Sequence, residues 1–334
     1  MSADGGLPIT TDMDGATRNG TWDIGADEVP VKIYYSVGTS VADLNTGSRT
    51  VAVTGGNTAT FSADLPTNIG VGDQLTYSGN IAYIVSRTSA GVYVIQSATG
   101  GAAVNVGEGT ACTINRTFNS LSLAEANSVG ASYLNTTSLL TANAILYWPC
   151  YADGADTTAL VIDGYTTGWN NFIKIYTPVS TTEVGVTQRH SGVFDSNKFN
   201  MNVGAQYVIH LSDANVEICG IQGTLNANNQ NNRDFIFVNT TDAGFFNLSK
   251  SIIKGNISGT SQYPEGLGLN SADIISIVYN NIFYSIKSDD NTATAIWKFE
   301  SAGPSTIYNN TIYDGRGIIT IGGVCIVKNN ITQT

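Results

Sequence analysis

Catalysis needs carboxylates, imidazoles, thiols or cations held at matched separations, and this chain offers few of them. Its 334 residues include 26 Asp and Glu, 15 Lys and Arg and two His. In the C-terminal half the acidic candidates are Asp213, Glu217, Asp234, Asp242, Glu265, Asp273, Asp289, Asp290, Glu300 and Asp314, with Arg189, Arg233 and Arg316 as cations. Glycoside hydrolysis requires paired carboxylates at a set distance. Yet Asp289-Asp290, Arg233-Asp234 and Asp314-Gly315-Arg316-Gly317 all read as solvated turns. His190 lies beside Ser191 with no matched acid, which favours a structural, hydrogen-bonded imidazole over a base. Asp12-Met13-Asp14-Gly15 opens like a calcium loop, with Asp23, Asp27 and Glu28 as further oxygen donors, but the closing bidentate acid is missing. Gly70-Val71-Gly72-Asp73 has no following Gly-Lys-Ser/Thr or helix, so it reads as a turn and not a nucleotide motif. Trp148, Trp169 and Trp297 are candidates for a sugar-stacking platform, although core or turn packing is the simpler role. No catalytic residue and no cofactor is expected.

Composition narrows the classes further. A net charge of −11 argues against nucleic acid and anionic membranes, both of which need a basic patch. No apolar run is long enough to span a bilayer, and Met1-Ser2-Ala3-Asp4-Gly5-Gly6 lacks the regions of a signal peptide. Cys112, Cys150, Cys219 and Cys325 form no CxxC pair. Cys219 and Cys325 sit in apolar runs and read as inward-facing small residues, not disulfide partners.

Certain elements must position whatever chemistry exists. With 42% hydrophobic and only 12% charged residues, the chain is β-rich and turn-rich. Residues 1–29 show no periodicity and read as an extended segment. Across 30–116, short β-branched runs such as 50–53, 74–77, 81–85 and 92–95 alternate with Gly-containing turns, predicting a small antiparallel barrel or sandwich. Residues 118–127 predict a short helix capped by Asn119 or Ser120, which would cover the first coil of a C-terminal solenoid; 117–169 are assigned to that helix and coil. From 170 to 334 apolar segments recur, each closed by Asn: 277–282, 307–312 and 326–331 all contain Asn-Asn before Ile or Thr. The pairs are 29 and 20 residues apart, and 22 Asn fall in this stretch. Asn tolerates left-handed bends and can bond to its neighbour in a stacked ladder. The spacing predicts an all-β fold dominated by a right-handed parallel β-helix, a solenoid of irregular period.

On these residues the chain resembles the pectate-lyase-like right-handed β-helix superfamily. It is similar in particular to multi-module β-helix proteins common in environmental bacterial and phage sequences. The resemblance is carried by residues 11–15 and 20–28, the latter reading GTWDIGADE, by Ile69-Gly70-Val71-Gly72-Asp73 with Tyr77, and by Thr187-Gln188-Arg189-His190-Ser191-Gly192. In that family the GTWDIGADE stretch follows a β-helix and closes a module, whereas here it comes first. Either the chain is a fragment, or this segment packs on the open last coil of another copy. On the second alternative Trp22, Asp23, Ile24 and Asp27 of one subunit meet Asn329, Asn330 and Ile331 of the next, a head-to-tail contact of the kind that builds filaments. The expected function is a non-enzymatic structural protein of a filament, sheath or virion appendage, located outside the cell, on its surface or in a virion. The partners are other copies of itself and surface glycans; polysaccharide binding or cleavage is the alternative.

Overall fold

The architecture follows from short aliphatic strands that return to the same places with a slipping period. The protein, seen in a computed structural model, is described over residues 29–259 and 261–333. Three parallel sheets dominate. Sheet I stacks Val31–Tyr34, Ala144–Pro149, Ile173–Tyr176, Val216–Cys219, Gly244–Ser249, Ile274–Tyr279, Ser305–Tyr308 and Cys325–Lys328. Sheet II stacks Ala155–Asp156, Asn200–Val203, Gln222–Asn228, Ile252–Ser258, Ile282–Tyr284, Thr311–Tyr313 and Ile331–Gln333. Sheet III stacks Leu160–Ile162, Tyr207–Leu211, Asp234–Val238, Glu265–Leu269, Thr294–Lys298 and Ile318–Thr320. From Ala144 onward the chain visits I, II and III in rotation, so each circuit lays one new strand on every sheet.

Register is set by the inner columns, not by loop length. Leu146, Ile173, Val216, Phe246, Ser276, Ser305 and Cys325 are successive partners although the offsets are 27, 43, 30, 30, 29 and 20 residues. The neighbouring column runs Trp148, Ile175, Ile218, Leu248, Val278 and Ile307, each wholly buried. A one-residue slip would turn every one of these side chains out of the core, which is why the register holds while the loops vary.

The Asn pairs divide two tasks. Asn280, Asn309 and Asn329 take φ of 57°, 55° and 52°, the left-handed bend between sheets I and II; Gly220 and Lys250 hold the same bend in earlier circuits. The second Asn of each pair turns inward as a ladder. Asn281 Nδ2 donates to Asn310 Oδ1 at 3.0 Å, and Asn310 Nδ2 donates to Asn330 Oδ1 at 2.9 Å. The same oxygens accept the backbone N–H of Asn281 and Asn310, and the amides also donate to the carbonyls of Leu248, Val278 and Ile307. Buried amides thus find partners at the bend, where leaving them unpaired would be costly.

The expected barrel is present and closed, ordered Thr50–Thr54, Thr58–Phe61, Val92–Gln96, Asn80–Arg87, Gln74–Tyr77 and Val106–Asn115. Its position corrects the boundary at 30. Val31–Tyr34 is not a barrel strand; it pairs in parallel with Ala144–Pro149 as the edge of sheet I, and strands at 144–162 already belong to the three sheets. The barrel is an excursion within the first circuit, leaving after Val37 and returning at Phe118, the two joined by a parallel bridge. A four-residue strand whose partner lies 113 residues away carries no local sign of that pairing.

A buried ionic cluster fixes the barrel to the sheets. Arg116 Nη1 lies 2.8 Å from both Asp73 oxygens, its Nε 2.6 Å from Asp153 Oδ2, and its guanidinium carbon 3.7 Å from the centre of the Tyr151 ring. Gly72, at φ +82°, brings the barrel turn against the first circuit: Ser36 N–H donates to its carbonyl, and a Cβ there would sit 2.5 Å from that nitrogen. The expected helix, α1, runs Leu121–Asn127, with Ser120 Oγ accepting from Leu123 N–H. Its Leu121 and Ala124 join the core with Ile33, Tyr35 and Leu146, at the edge of the first circuit.

Candidate functional site

The densest grouping of unusual side chains lies on the outer face of sheet III. In Asp234–Val238, Phe235, Ile236 and Val238 enter the core, leaving Asp234 and Phe237 on the opposite side. Strand register then repeats that face. One row runs Tyr207, Asp234, Glu265 and Thr294, and a second runs His210, Phe237, Gly268, Trp297 and Ile319. The second row is an aromatic shelf. Tyr207 stacks on Phe237 with centroids 4.9 Å apart and an interplanar angle of 12°, and His210 stacks on Phe237 at 5.7 Å. Trp297 packs against Phe299 at 5.7 Å and meets Tyr263 edge-on at 6.3 Å.

Gly268 interrupts that shelf. A Cβ there would lie 2.5 Å from Glu265 Oε2 and 2.9 Å from Phe237 Cδ2, so the missing side chain is what makes room for the carboxyl. Asp234 and Glu265 are 5% and 4% exposed, and Glu265 Oε2 has no hydrogen-bond partner. Trp297 Nε1 and His210 Nε2, in the same row, are likewise buried without one. Among the described residues the ion pairs are Arg116 with Asp73 and Asp153, Lys174 with Glu217, and Lys287 with Asp314; neither Asp234 nor Glu265 takes part. Burial therefore raises both carboxyls well above the usual carboxylate range, and the charge of Asp234 raises Glu265 further. Two acids on neighbouring strands, about 4.8 Å apart in backbone spacing, lie side by side on one face and do not oppose each other across a cleft. The arrangement suits donation of hydrogen bonds or neutralisation by a cation, more than the opposed acid and base of a glycosidase.

The other sequence candidates are scattered. Arg233-Asp234 is not a free turn: Asp234 begins a strand and is buried. Asp289 and Asp290 do form an exposed turn, with Asp290 Oδ1 accepting from Ser288 and Thr292. His190 Nδ1 accepts from Gly192 N–H at 3.2 Å, and burial lowers its pKa. Arg189 beside it donates to Thr177 Oγ1 and to Cys219 Sγ. Cys219 thus points away from the core, contrary to expectation, because it alternates with inward-facing Val216 and Ile218. Cys325 packs on the core as expected, and all four cysteines are free. Trp148 is wholly buried, its Nε1 donating to Ser128, and belongs to no platform; Trp169 is 60% exposed against Phe245.

Of the residues expected at a subunit junction, Trp22, Asp23, Ile24 and Asp27 lie outside the described residues, as do the calcium-loop candidates Asp12 and Asp14. Asn330 ends the inner ladder; Asn329 forms the last bend, and Ile331 is 64% exposed. Among the described residues no group of three or more His, Cys, Asp or Glu side chains gathers as for a metal, and no helix is long and apolar enough to cross a membrane. The Asp234–Glu265 pair was missed as a pair because only strand register brings the two together. The chain matches no protein-family model, no curated protein and no solved structure.

Proposed function

We propose that the three sheets are the faces of a right-handed parallel β-helix of the pectate-lyase-like kind, and that the chain is a non-enzymatic structural module. In this reading it is a rigid rod that associates end to end, outside the cell, on its surface or in a virion. The strict rotation among three parallel sheets supports the solenoid, and parallel crossovers are right-handed in about 98% of cases.

The observation that carries the structural role is the unbroken register of the inner columns, which joins every circuit of the three sheets into one continuous stack. Val324, Ile326, Val327 and Ile331 are 65%, 43%, 48% and 64% exposed, whereas Val278 and Ile307, which precede Val327 in its column, are wholly buried. A parallel strand with exposed apolar side chains can take a further strand beside it. In the proposed assembly that strand comes from the N-terminal segment of a neighbour, with Trp22, Ile24 and the acids Asp23 and Asp27 against Asn329, Asn330 and Ile331. Sedimentation velocity over a concentration series, with negative-stain microscopy, tests this. Growth of end-to-end particles that is abolished by Ile331→Asp is the expected result, and a monomer at every concentration rejects it.

A second reading, glycan binding, is favoured by the aromatic shelf of Tyr207, Phe237 and Trp297. Rings presented in register are a usual means of stacking on sugar faces. Binding to a panel of acidic and neutral glycans, with and without calcium, tests it; release of unsaturated or reducing ends would make the protein an enzyme instead.

A further inference from the structure

The two acids beneath the aromatic shelf have no counter-charge of their own. The nearest cations by position are engaged elsewhere: Arg233 Nη1 donates to the Gly204 carbonyl, and Lys298 Nζ donates to the carbonyls of Ala302 and Gly322. His210, on the neighbouring strand, stacks on Tyr207 and Phe237, and burial lowers its pKa, so it supplies no charge near neutrality. Tyr207 and Thr294, which flank the acids in their row, are neutral. Glu265 Oε2 meanwhile points over Gly268, between the strands that carry Phe237 and Trp297, without a donor.

We propose that the Glu265 carboxyl, lodged over Gly268 beside the aromatic shelf, is an ammonium subsite, and that its side chain swings outward from this buried position to take the free amino group of a basic glycan built of unacetylated amino sugars. The proposal rests on the glycan-binding reading of the same face. An aromatic wall attracts a cation through the ring quadrupole, and the carboxyl beside it supplies the anionic partner. The sugar ring that carries the amine lies on the shelf. As the ammonium N–H donates to Glu265 Oε2, the carboxyl proton leaves to solvent, so one cation replaces one proton and charge balances. An acidic glycan would instead meet two further acids on a chain of net charge −11. An acetylated amino sugar brings no charge to the carboxyl.

Titration calorimetry of the full chain at pH 6 with a glucosamine hexamer and its N-acetylated counterpart tests the subsite. Runs in two buffers of different ionisation enthalpy count the protons released. The free-amine hexamer is expected to bind roughly tenfold tighter or better, with proton release. Glu265→Gln should erase that preference while leaving the acetylated hexamer's affinity unchanged, and Asp234→Asn provides a second variant should the first not fold. Equal affinity for the two hexamers overturns the ammonium subsite and leaves glycan binding standing. A preference that survives in both variants assigns it to overall charge and also overturns the subsite. Failure of both hexamers to bind rejects the subsite and counts against the glycan reading.

Discussion

Arg116 and Asp73 meet inside the protein with no solvent contact: one guanidinium nitrogen lies 2.8 Å from both carboxylate oxygens, and both side chains are wholly buried. Asp73 belongs to the barrel turn, whereas Arg116 is the residue by which the chain leaves the barrel. Asp153, which shares the guanidinium, belongs to the first full circuit of the sheets. One side chain therefore fastens the inserted unit to the stack.

Removing that fastener leaves two carboxylates without their cation. Arg116→Ala is expected to cost roughly 3–5 kcal/mol of stability, read as a lower urea midpoint. A triple change to apolar residues of similar volume at 73, 116 and 153 should recover much of it, since the pair's own net contribution is small. A midpoint within error of the parent would show that the cluster is not structural.

Asn310 is predicted to be among the most sensitive polar positions. Its side chain accepts from Asn281 and donates to Asn330 and the Val278 carbonyl. Asn310→Ala leaves several buried groups unpaired, at about 2–4 kcal/mol in total. Asn309→Gly, at φ 55°, should be close to neutral, while Asn309→Val should lose about 1–2 kcal/mol. Thermal melts of the three variants check the contrast between bend and ladder.

Stability should fall as pH rises from about 4 towards the raised folded values of about 8 for Asp234 and about 9 for Glu265. Asp234 and Glu265 hold protons in the folded state that an unfolded chain releases above about pH 4. Their contribution is fully present below that value and is lost as pH climbs through the raised folded values. At its steepest the loss is about 1.4 kcal/mol per pH unit for each group. Urea midpoints from pH 5 to 9 should decline in the parent and flatten in the Asp234→Asn, Glu265→Gln double variant. Parallel profiles would mean that the acids are ionised in the fold.

Gly72→Ala should be more damaging than any surface change in the barrel. It combines a left-handed backbone with a Cβ placed 2.5 Å from Ser36 N and 2.7 Å from Pro149 Cγ. About 1–2 kcal/mol of backbone strain adds to a forced separation of barrel and sheets. Limited proteolysis within 38–117 should then become faster than in the parent.

The sequence carried the local half of this structure. Repeated Asn-Asn pairs before Ile are visible as text, because a left-handed bend and a buried amide each demand a particular residue type. Barrel strands at 50–53, 74–77, 81–85 and 92–95 showed in their turn spacing. Strand pairing at a distance did not. Val31 meets Ala144, and Asp234 meets Glu265, only through register set by inner columns whose offsets range from 20 to 43 residues. The aromatic shelf was hidden for the same reason: Tyr207, Phe237 and Trp297 are ordinary strand residues until stacking aligns them.

The barrel's exit and return at Val37 and Phe118 stand side by side. Everything between them is an insertion between two adjacent points of the stack, yet it shares the stack's core: Tyr83 packs edge-on against Tyr35 at 5.0 Å, and Gln96 donates to the Lys32 carbonyl. A chimaera carrying an unrelated small domain between 38 and 117 therefore leaves Asp153 without its cation and the Tyr35 ring without its neighbour, and both positions need replacing with it.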